Sequence, residues 1–484
     1  MAVQLIWFRQ DLRIQDHSAL WHAAQAGACV AFVAISPQQW ALHDDAEIKL
    51  NFYLRQLLEL KQQLQQLNIP LIVREIALWK DIAPVILDVS KALNIDSIHA
   101  NIDLGVNELA RDQQVQQLLE KNHKSFELYH DRTLFPVGSI RNKSNQPYQV
   151  FSAFKKTCYT QLSISLPQCY PEIEAQKKLE PHALFDESIA NLKDLYNVSE
   201  ELQARWPVGE QYALNLLDEF MQHQVEHYEK ERDFPNLAGT SQFSAYLTLG
   251  IISIRQCLQA LFRPQQGHFH IAQLGQQTWL DELLWREFYQ HTLFDFPKVC
   301  KHLPFKENTQ KIQWRDAPED LIAWQQGQTG IPIVDAGMRQ LSSTGWMHNR
   351  VRMVTAMFLS KNLLIDWRLG EQWFMQQLID GDLAANNGGW QWCASTGMDA
   401  VPYFRIFNPI SQSQRFDAAG DYIRQWLPEL AHLDAKMIHE PYAKNPNLKL
   451  DYPQPIVDLK QSRLRALQAF KEIETDQRQF KSKI

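Results

Sequence analysis

The chain has 484 residues, 45% hydrophobic and 21% charged, with 48 Lys and Arg against 55 Asp and Glu for a net charge of −7. That length exceeds one ordinary core, so two or more domains are expected, and the composition is that of a globular protein rather than a disordered or fibrous one. The net charge excludes a generally basic nucleic-acid coat but allows a local basic groove, because phosphate binding depends on the patch and not on the sum.

The opening "MAVQLIWFRQDLRIQD" turns charged after one strand's length, which is not the pattern of a signal peptide. No apolar run approaches the roughly 20 residues of a membrane span. Apolar runs at 3–8, 29–36, 69–75, 97–102 and 126–131 then alternate with helical patterns such as 48–67. The rhythm predicts an α/β domain over 1–135 with a Rossmann-like parallel sheet. No G-x-G-x-x-G follows the first strand, so any ligand here sits at the strand C-termini on other chemistry. From 136 to 205 the sequence is loop-like and is expected to be a long linker. Beyond it helical periodicity dominates, and 206–484 is expected to be an all-α domain ending in a basic helix. The cysteines Cys29, Cys158, Cys169, Cys257, Cys300 and Cys393 form no C-x-x-C pair, the usage of a reducing compartment, so the cytoplasm is the expected location.

Eleven of the 15 tryptophans lie beyond residue 200, among Asn, Arg and His rather than aliphatic runs. Buried tryptophan usually just packs. Four clusters accompany them. In "GTSQFSAYLTLG" Thr240, Ser241 and Ser244 head an apolar helix, where hydroxyls either cap the chain or help hold a phosphate. In "TWLDELLWREFYQH" Glu282 and Arg286 share a helix face beside Trp285: an exposed ion pair, or the wall of a cavity where a carboxyl among aromatics gives a hydrogen bond. In "STGWMHNRVRM" Asn349, Arg350, Arg352 and Met353 open an apolar helix, so one arginine is expected to meet a buried acid and the other a polyanion. In "DGDLAANNGGWQWCASTG" Asp380 and Asp382 flank Gly381 ahead of what reads as a glycine turn. These acids are either arginine partners or a divalent-metal pair; the arginines compete for the charge, and no metal is expected. Arg232, Arg286, Arg350 and Arg405 together would make a basic rim around stacking tryptophans, which suits an extruded base.

The stretches "IWFRQDLRIQDHSAL", "QVFSAFKK", "RDFPNLAGTSQFSAYLTLG", "WLDELLWREFYQH", "TGIPIVDAGMRQLSSTGWMHNRVRMVTAMFLSKNLLIDWR", "DGDLAANNGGWQW" and "PYFRIFNP" run nearly the whole length of the chain in family order. They resemble the photolyase/cryptochrome family, above all its bacterial class I cyclobutane pyrimidine dimer enzymes with a folate antenna. The resemblance implies an N-terminal α/β antenna domain, a long linker and a helical domain holding FAD in a bent conformation. It also implies light-driven electron transfer from reduced FAD to a pyrimidine dimer flipped out of DNA, because chemistry on a stacked base requires its extrusion. Single- or double-stranded UV-damaged DNA is the implied partner and a monomer the implied state.

By the same resemblance Thr240, Ser241, Gln242, Phe243 and Ser244 form the phosphate-holding helix start. Tyr228, Trp279, Arg286 and Asn349 also line the flavin. Arg352 pairs with Asp380 beside the flavin ring, with Gly381 and Asp382 at the polar edge. Asn386 faces flavin N5, where an amide cannot readily donate a proton and so preserves the negative charge. Glu282 hydrogen-bonds the dimer between the apolar walls of Trp285, Met353 and Trp392. Arg232, Arg350 and Arg405 face DNA. Trp390, Trp367 and Trp314 relay electrons from the surface to oxidised flavin. Asn107 and Glu108 with Cys300 and Lys301 contact the antenna, expected to be methenyltetrahydrofolate, with a deazaflavin or none as the alternatives.

Four positions depart from the family pattern: Phe243 for Leu, Ala245 and Ala153 for a frequent Pro, and Cys393 for a commoner small residue. None removes a reacting group. A blue-light cryptochrome and a (6-4) photolyase are the alternatives; Asn386 disfavours the first, and Asn349 and Met353 in "WMHNRVRM", where the second carries a histidine pair, disfavour the second.

Overall fold

The computed structural model describes residues 3–186, 189–443 and 446–481. The five apolar runs form strands β1 (Val3–Phe8), β2 (Ala28–Ile35), β3 (Leu71–Glu75), β4 (Ser97–Asn101) and β5 (Ser125–Tyr129). They lie in the order β3-β2-β1-β4-β5 with every pair parallel. β1 and β2 are almost continuously buried, as strands covered by helices on both faces must be. The order reverses between β1 and β4, which makes their C-terminal ends the topological switch point.

The stretch 136–205 is more structured than its composition suggests. Helix Phe151–Ile164 stands within it and buries Phe151, Phe154, Cys158 and Leu162, spaced three and four apart. The irregular chain that follows covers the open edge of β3. Asp186 accepts the Val73 N–H at 2.6 Å and donates its own N–H to the Leu71 carbonyl at 3.0 Å. The Gln176 carboxamide accepts the Cys29 N–H and donates to the Cys29 and Asn68 carbonyls, at the start of β2 and just ahead of β3. Edge groups left bare would invite pairing with another chain.

Helix Leu274–Asp295 includes the predicted 278–291 segment. The helix expected to open at Asn349 does so, after a break from the helix before it and running no further than Met357. Helix Pro332–Thr344 ends on Gly345 at φ 68°, the left-handed cap that glycine adopts without strain. Helix Asn349–Met357 restarts under His348, whose Nδ1 accepts the Arg350 N–H at 3.2 Å, and runs into a π-turn at Phe358–Asn362. Asp366 caps helix Trp367–Met375, and Asp382 caps helix Leu383–Ala394 by accepting the Ala385 N–H at 2.9 Å. Gly388 and Gly389 therefore lie inside a helix and not in a turn. A glycine there costs about 1 kcal/mol against alanine; at Gly389 an added Cβ would meet nothing within 4 Å.

The chain divides into two compact units. The first comprises Met1–Glu226, Ser241–Pro297 and Ile379–Gly381, with the sheet at its centre; the second comprises His227–Thr240, Lys298–Leu378 and Asp382–Ile484 and is helical among the described residues. The sheet core is built from Leu5, Trp7, Val30, Phe32, Ile72 and Ile98. The second core centres on Trp324, Met357, Trp367, Phe374 and Trp390. Each such side chain contributes about 1.5–3 kcal/mol on burial. Among the described residues no helix is long and apolar enough to cross a membrane.

Candidate functional site

In the first unit, helix Leu274–Asp295 is fixed by one fully buried carboxylate. Glu287 accepts the main-chain N–H groups of Leu134 and Phe135 at 2.9 and 3.0 Å. That contact sets the half-buried face carrying Glu282, Trp285 and Arg286. The Trp285 ring stacks on Phe151 with centroids 3.7 Å apart and planes 13° from parallel. Phe288 meets Trp285 edge-on, so the indole is held rigidly on a single apolar plate. Arg286 Nη1 donates to the Arg132 carbonyl at 2.7 Å.

The predicted phosphate loop lies in the same unit, except for Thr240. Trp279, nearly fully buried, donates Nε1–H to Ser241 Oγ at 3.3 Å, and Gln242 adopts a left-handed φ of 53°. The Phe243 side chain is buried between Phe220 and Trp279, so it packs and leaves only its main chain for a ligand. Helix Ser244–Thr248 follows, with Ser244 exposed. Thr248 Oγ1 donates to the Asp380 carbonyl and Lys49 Nζ to the Gly381 carbonyl at 2.7 Å, so a buried lysine anchored on Asp45 holds the start of the D-G-D segment. Nothing in the sequence around Lys49 marks it for this.

The switch point is filled by the protein's own ions. Arg9 makes a two-point pair with Asp112, and Arg111 bridges Asp103 and Asp112 while lying over Trp7 and Trp79. Arg13 and Arg255 share Asp131 and Asp16. The cavity among Asp11, Arg13, Asn101, Asp131, Ser253 and Arg286 measures about 20 Å³, room for one water. Further out, exposed Asn107 donates to His43 Nε2 at 3.0 Å, and His43 meets Trp79 edge-on. The Glu108 carboxyl folds back over Gly105 at the start of helix Val106–Glu120. Burial, with Asp103 nearby, pushes it up to about 7.

In the second unit Asp233 lies between two of the predicted DNA-facing arginines, 2.7 Å from Arg350 Nη2 and 3.9 Å from Arg232 Nε. Arg350 also lies over Phe416 at 4.4 Å, and Arg232 over the buried Tyr228 ring at 5.6 Å. Burial pushes the His348 imidazole down to about 4 despite Asp233, so it is neutral at pH 7 and caps the helix that starts at Asn349. Arg352 Nε donates to the Met347 carbonyl at 2.7 Å. Arg405 is exposed, beside the exposed ring of Phe404.

Trp390 and Trp392 are two residues apart, about 200° around the helix, and so face different surroundings. Trp390 is buried: its ring lies 4.9 Å from Phe374 and 5.9 Å from Trp324, on Gly370, where a Cβ would come within 2.2 Å of the indole. Trp392 and Met353 are half-buried against the same core. Trp367 is buried in that core, and Trp314 packs on it with its ring partly exposed. The second unit thus gathers all three predicted relay tryptophans in one cluster, graded from buried to accessible. Cys393 is buried, which pushes its thiol up to about 12 and leaves it inert. Asn386 is held by its side chain, Nδ2 donating to the Glu371 carbonyl at 2.9 Å.

Two stretches of the chain match family descriptions. Residues 4–174 match DNA photolyase, and residues 279–472 match the FAD binding domain of DNA photolyase. A deoxyribodipyrimidine photo-lyase of Escherichia coli is 42% identical, aligned over 97% of this chain and 98% of its own, and one of Vibrio cholerae is 40% identical over 97% and 99%. Among solved structures, a class III photolyase of Agrobacterium tumefaciens superposes with a TM-score of 0.84 at 33% identity, covering 98% of each chain. A cryptochrome of Synechocystis superposes at 0.82 and 29%, covering 97% of this chain and 99% of its own. With full-length likeness at this level, the chain belongs to the DNA photolyase family.

Proposed function

We propose that the chain is a deoxyribodipyrimidine photo-lyase that uses light to split cyclobutane pyrimidine dimers in DNA. The observation that carries this reading is its 42% identity, over almost the full length of both chains, to a protein of that name. FAD is the cofactor, and reduced FAD, when bound, would supply the light-excited one-electron donor that dimer splitting requires. The donor set fits such a group: hydroxyls at Thr240, Ser241 and Ser244, guanidiniums at Arg286 and Arg352, and a helix bearing Asn386 that is open at Gly389. Tyr228, Gln242, the Phe243 main chain, Trp279, Asn349, Asp380, Gly381 and Asp382 complete the proposed cofactor contacts.

Trp285, backed by Phe151, is the plate on which one extruded base stacks; Glu282 hydrogen-bonds the dimer, and Met353 and Trp392 supply apolar walls. Arg232, Arg350 and Arg405 take phosphates. The Asn386 amide does not readily give up a proton, so it keeps the electron-rich charge state rather than quenching it. Trp390, Trp367 and Trp314 return electrons to oxidised protein. The antenna is folate, contacted by Asn107, Glu108, Cys300 and Lys301, with a deazaflavin or none as the alternatives. The functional division is 1–135, 136–205 and 206–484, and the protein acts as a cytoplasmic monomer, in keeping with six unpaired cysteines.

The decisive test is illumination of pre-reduced protein with dimer-containing DNA. Restored pyrimidines are expected; their absence while FAD is bound and reduced would leave a signalling role instead. Trp285→Ala is expected to weaken binding of dimer-containing DNA by about 1–3 kcal/mol, with its salt dependence unchanged. Arg405→Ala should instead lower the salt slope of binding by about 1 for damaged and undamaged DNA alike. Titrations by fluorescence anisotropy at several salt concentrations separate the two.

A further inference from the structure

Glu371 is fully buried in helix Trp367–Met375, and among the described residues its carboxylate pairs with His302 rather than with a Lys or Arg. Oε1 accepts Asn387 Nδ2 at 2.8 Å, and Oε2 lies 2.9 Å from His302 Nδ1. The His302 side chain is 53% exposed, so this imidazole touches solvent on one side and a buried acid on the other. His302 follows Cys300 and Lys301 directly, at a left-handed φ of 55°, and its carbonyl is held by Arg368 Nε at 2.7 Å. The same loop is tied to helix Leu383–Ala394: Gln391 accepts the Phe305 N–H at 2.8 Å and donates to Asn387 Oδ1 at 2.8 Å. The Asn386 carboxamide, in turn, hangs on the Glu371 main-chain carbonyl.

A buried carboxylate whose partners are an amide and an imidazole has no fixed countercharge. Its cheapest response to a second negative charge nearby is to acquire a proton, and the imidazole offers the route from water. We propose that Glu371 and His302 form a proton-binding pair that takes up one proton from solvent when negative charge is placed on the bound flavin. This rests on the reading that Asn386 faces the flavin. The electrons come from an added reductant and the proton from water, entering at His302 Nε2 and ending shared between His302 Nδ1 and Glu371 Oε2. Arg368, paired with Asp366, donates to the His302 carbonyl, and Lys301 precedes His302 in the chain. Helix Leu383–Ala394 presents Asn386, Asn387 and Gln391, all uncharged, toward it.

The test counts protons taken up from weakly buffered solution when FAD-loaded protein is reduced with dithionite. Glu371→Gln keeps an acceptor for Asn387 but cannot titrate; His302→Gln, at a half-exposed site, serves if the first variant folds poorly. Both should take up one proton fewer than the parent at equal FAD content, and an infrared band of the protonated Glu371 acid should vanish with Glu371→Gln. Equal proton counts in parent and variants overturn the proposal. Asn386→Ala separates the two readings: a flavin spectrum indifferent to it removes the premise, whereas a changed spectrum with equal proton counts removes the pair alone.

Discussion

Asp131→Ala protein should be less stable by about 3–5 kcal/mol, because the change strands two buried guanidiniums on one remaining acid. Asp131 receives Arg13 Nη2 at 2.6 Å, Arg255 Nη2 at 2.7 Å and the Ser18 hydroxyl at 2.8 Å, all out of solvent. Asp16 is already bound to Arg255, to the Ser253 hydroxyl and to the Tyr170 N–H, so it has little capacity to compensate. Burial alone would raise the Asp131 carboxyl, but Arg13 and Arg255 outweigh it and hold the group well below the usual carboxylate range. An acid depressed in the folded state contributes fully above its unfolded value near 4 and loses that contribution as pH falls toward the folded one. Parent protein should therefore weaken steeply in acid and the variant less so, with the two urea midpoints converging at low pH. A loss below about 1 kcal/mol at neutral pH would show that the network is solvated and worth no more than a surface pair.

The same network marks where the sequence misleads. "RQDLRIQDHS" follows β1 with four charged residues and a histidine in ten positions, and periodicity gives no reason to bury them; yet Arg9, Asp11, Arg13, Asp16 and His17 are all buried. Their partners, Asp112, Asp131 and Arg255, lie about a hundred residues or more away for each arginine. Only the parallel topology brings those positions to one end of the sheet. The strands themselves were legible because apolar runs of strand length alternate with helical patterns, a signal carried within each segment. Gly388 and Gly389 were not: paired glycines ordinarily punctuate, and here the Asp382 cap and the packing of Trp390 on Gly370 outweigh that preference. The relay tryptophans were legible only by resemblance, since burial of an indole looks the same whether or not an electron passes through it. Phe151 and Glu371 escaped altogether. A ring that backs another ring, or a carboxylate that meets an imidazole 69 residues away, leaves no spacing to read.

Trp390→Phe should abolish photoreduction of oxidised flavin by an external thiol while leaving repair by chemically reduced protein nearly intact. Packing alone predicts otherwise, and the core supplies its own control. Trp324 is as deeply buried as Trp390, meets it edge-on at 5.9 Å and shares the Phe374 contact, but it is not among the relay residues. Phenylalanine at either site removes the same atoms from the same cluster, and each change should cost about 0.5–3 kcal/mol of stability. At Trp324 it also removes the Nε1 hydrogen bond to the Thr355 carbonyl, whereas Trp390 Nε1 is buried with no partner among the described residues. The structural penalty is therefore at least as large at Trp324. If electrons pass through Trp390, photoreduction is lost in Trp390→Phe and kept in Trp324→Phe, the reverse of the order that stability dictates. Trp314→Phe, at a partly exposed ring, should also slow photoreduction at the smallest cost in melting temperature. Loss of photoreduction in proportion to melting temperature across the three variants would assign these tryptophans to the core and to nothing more.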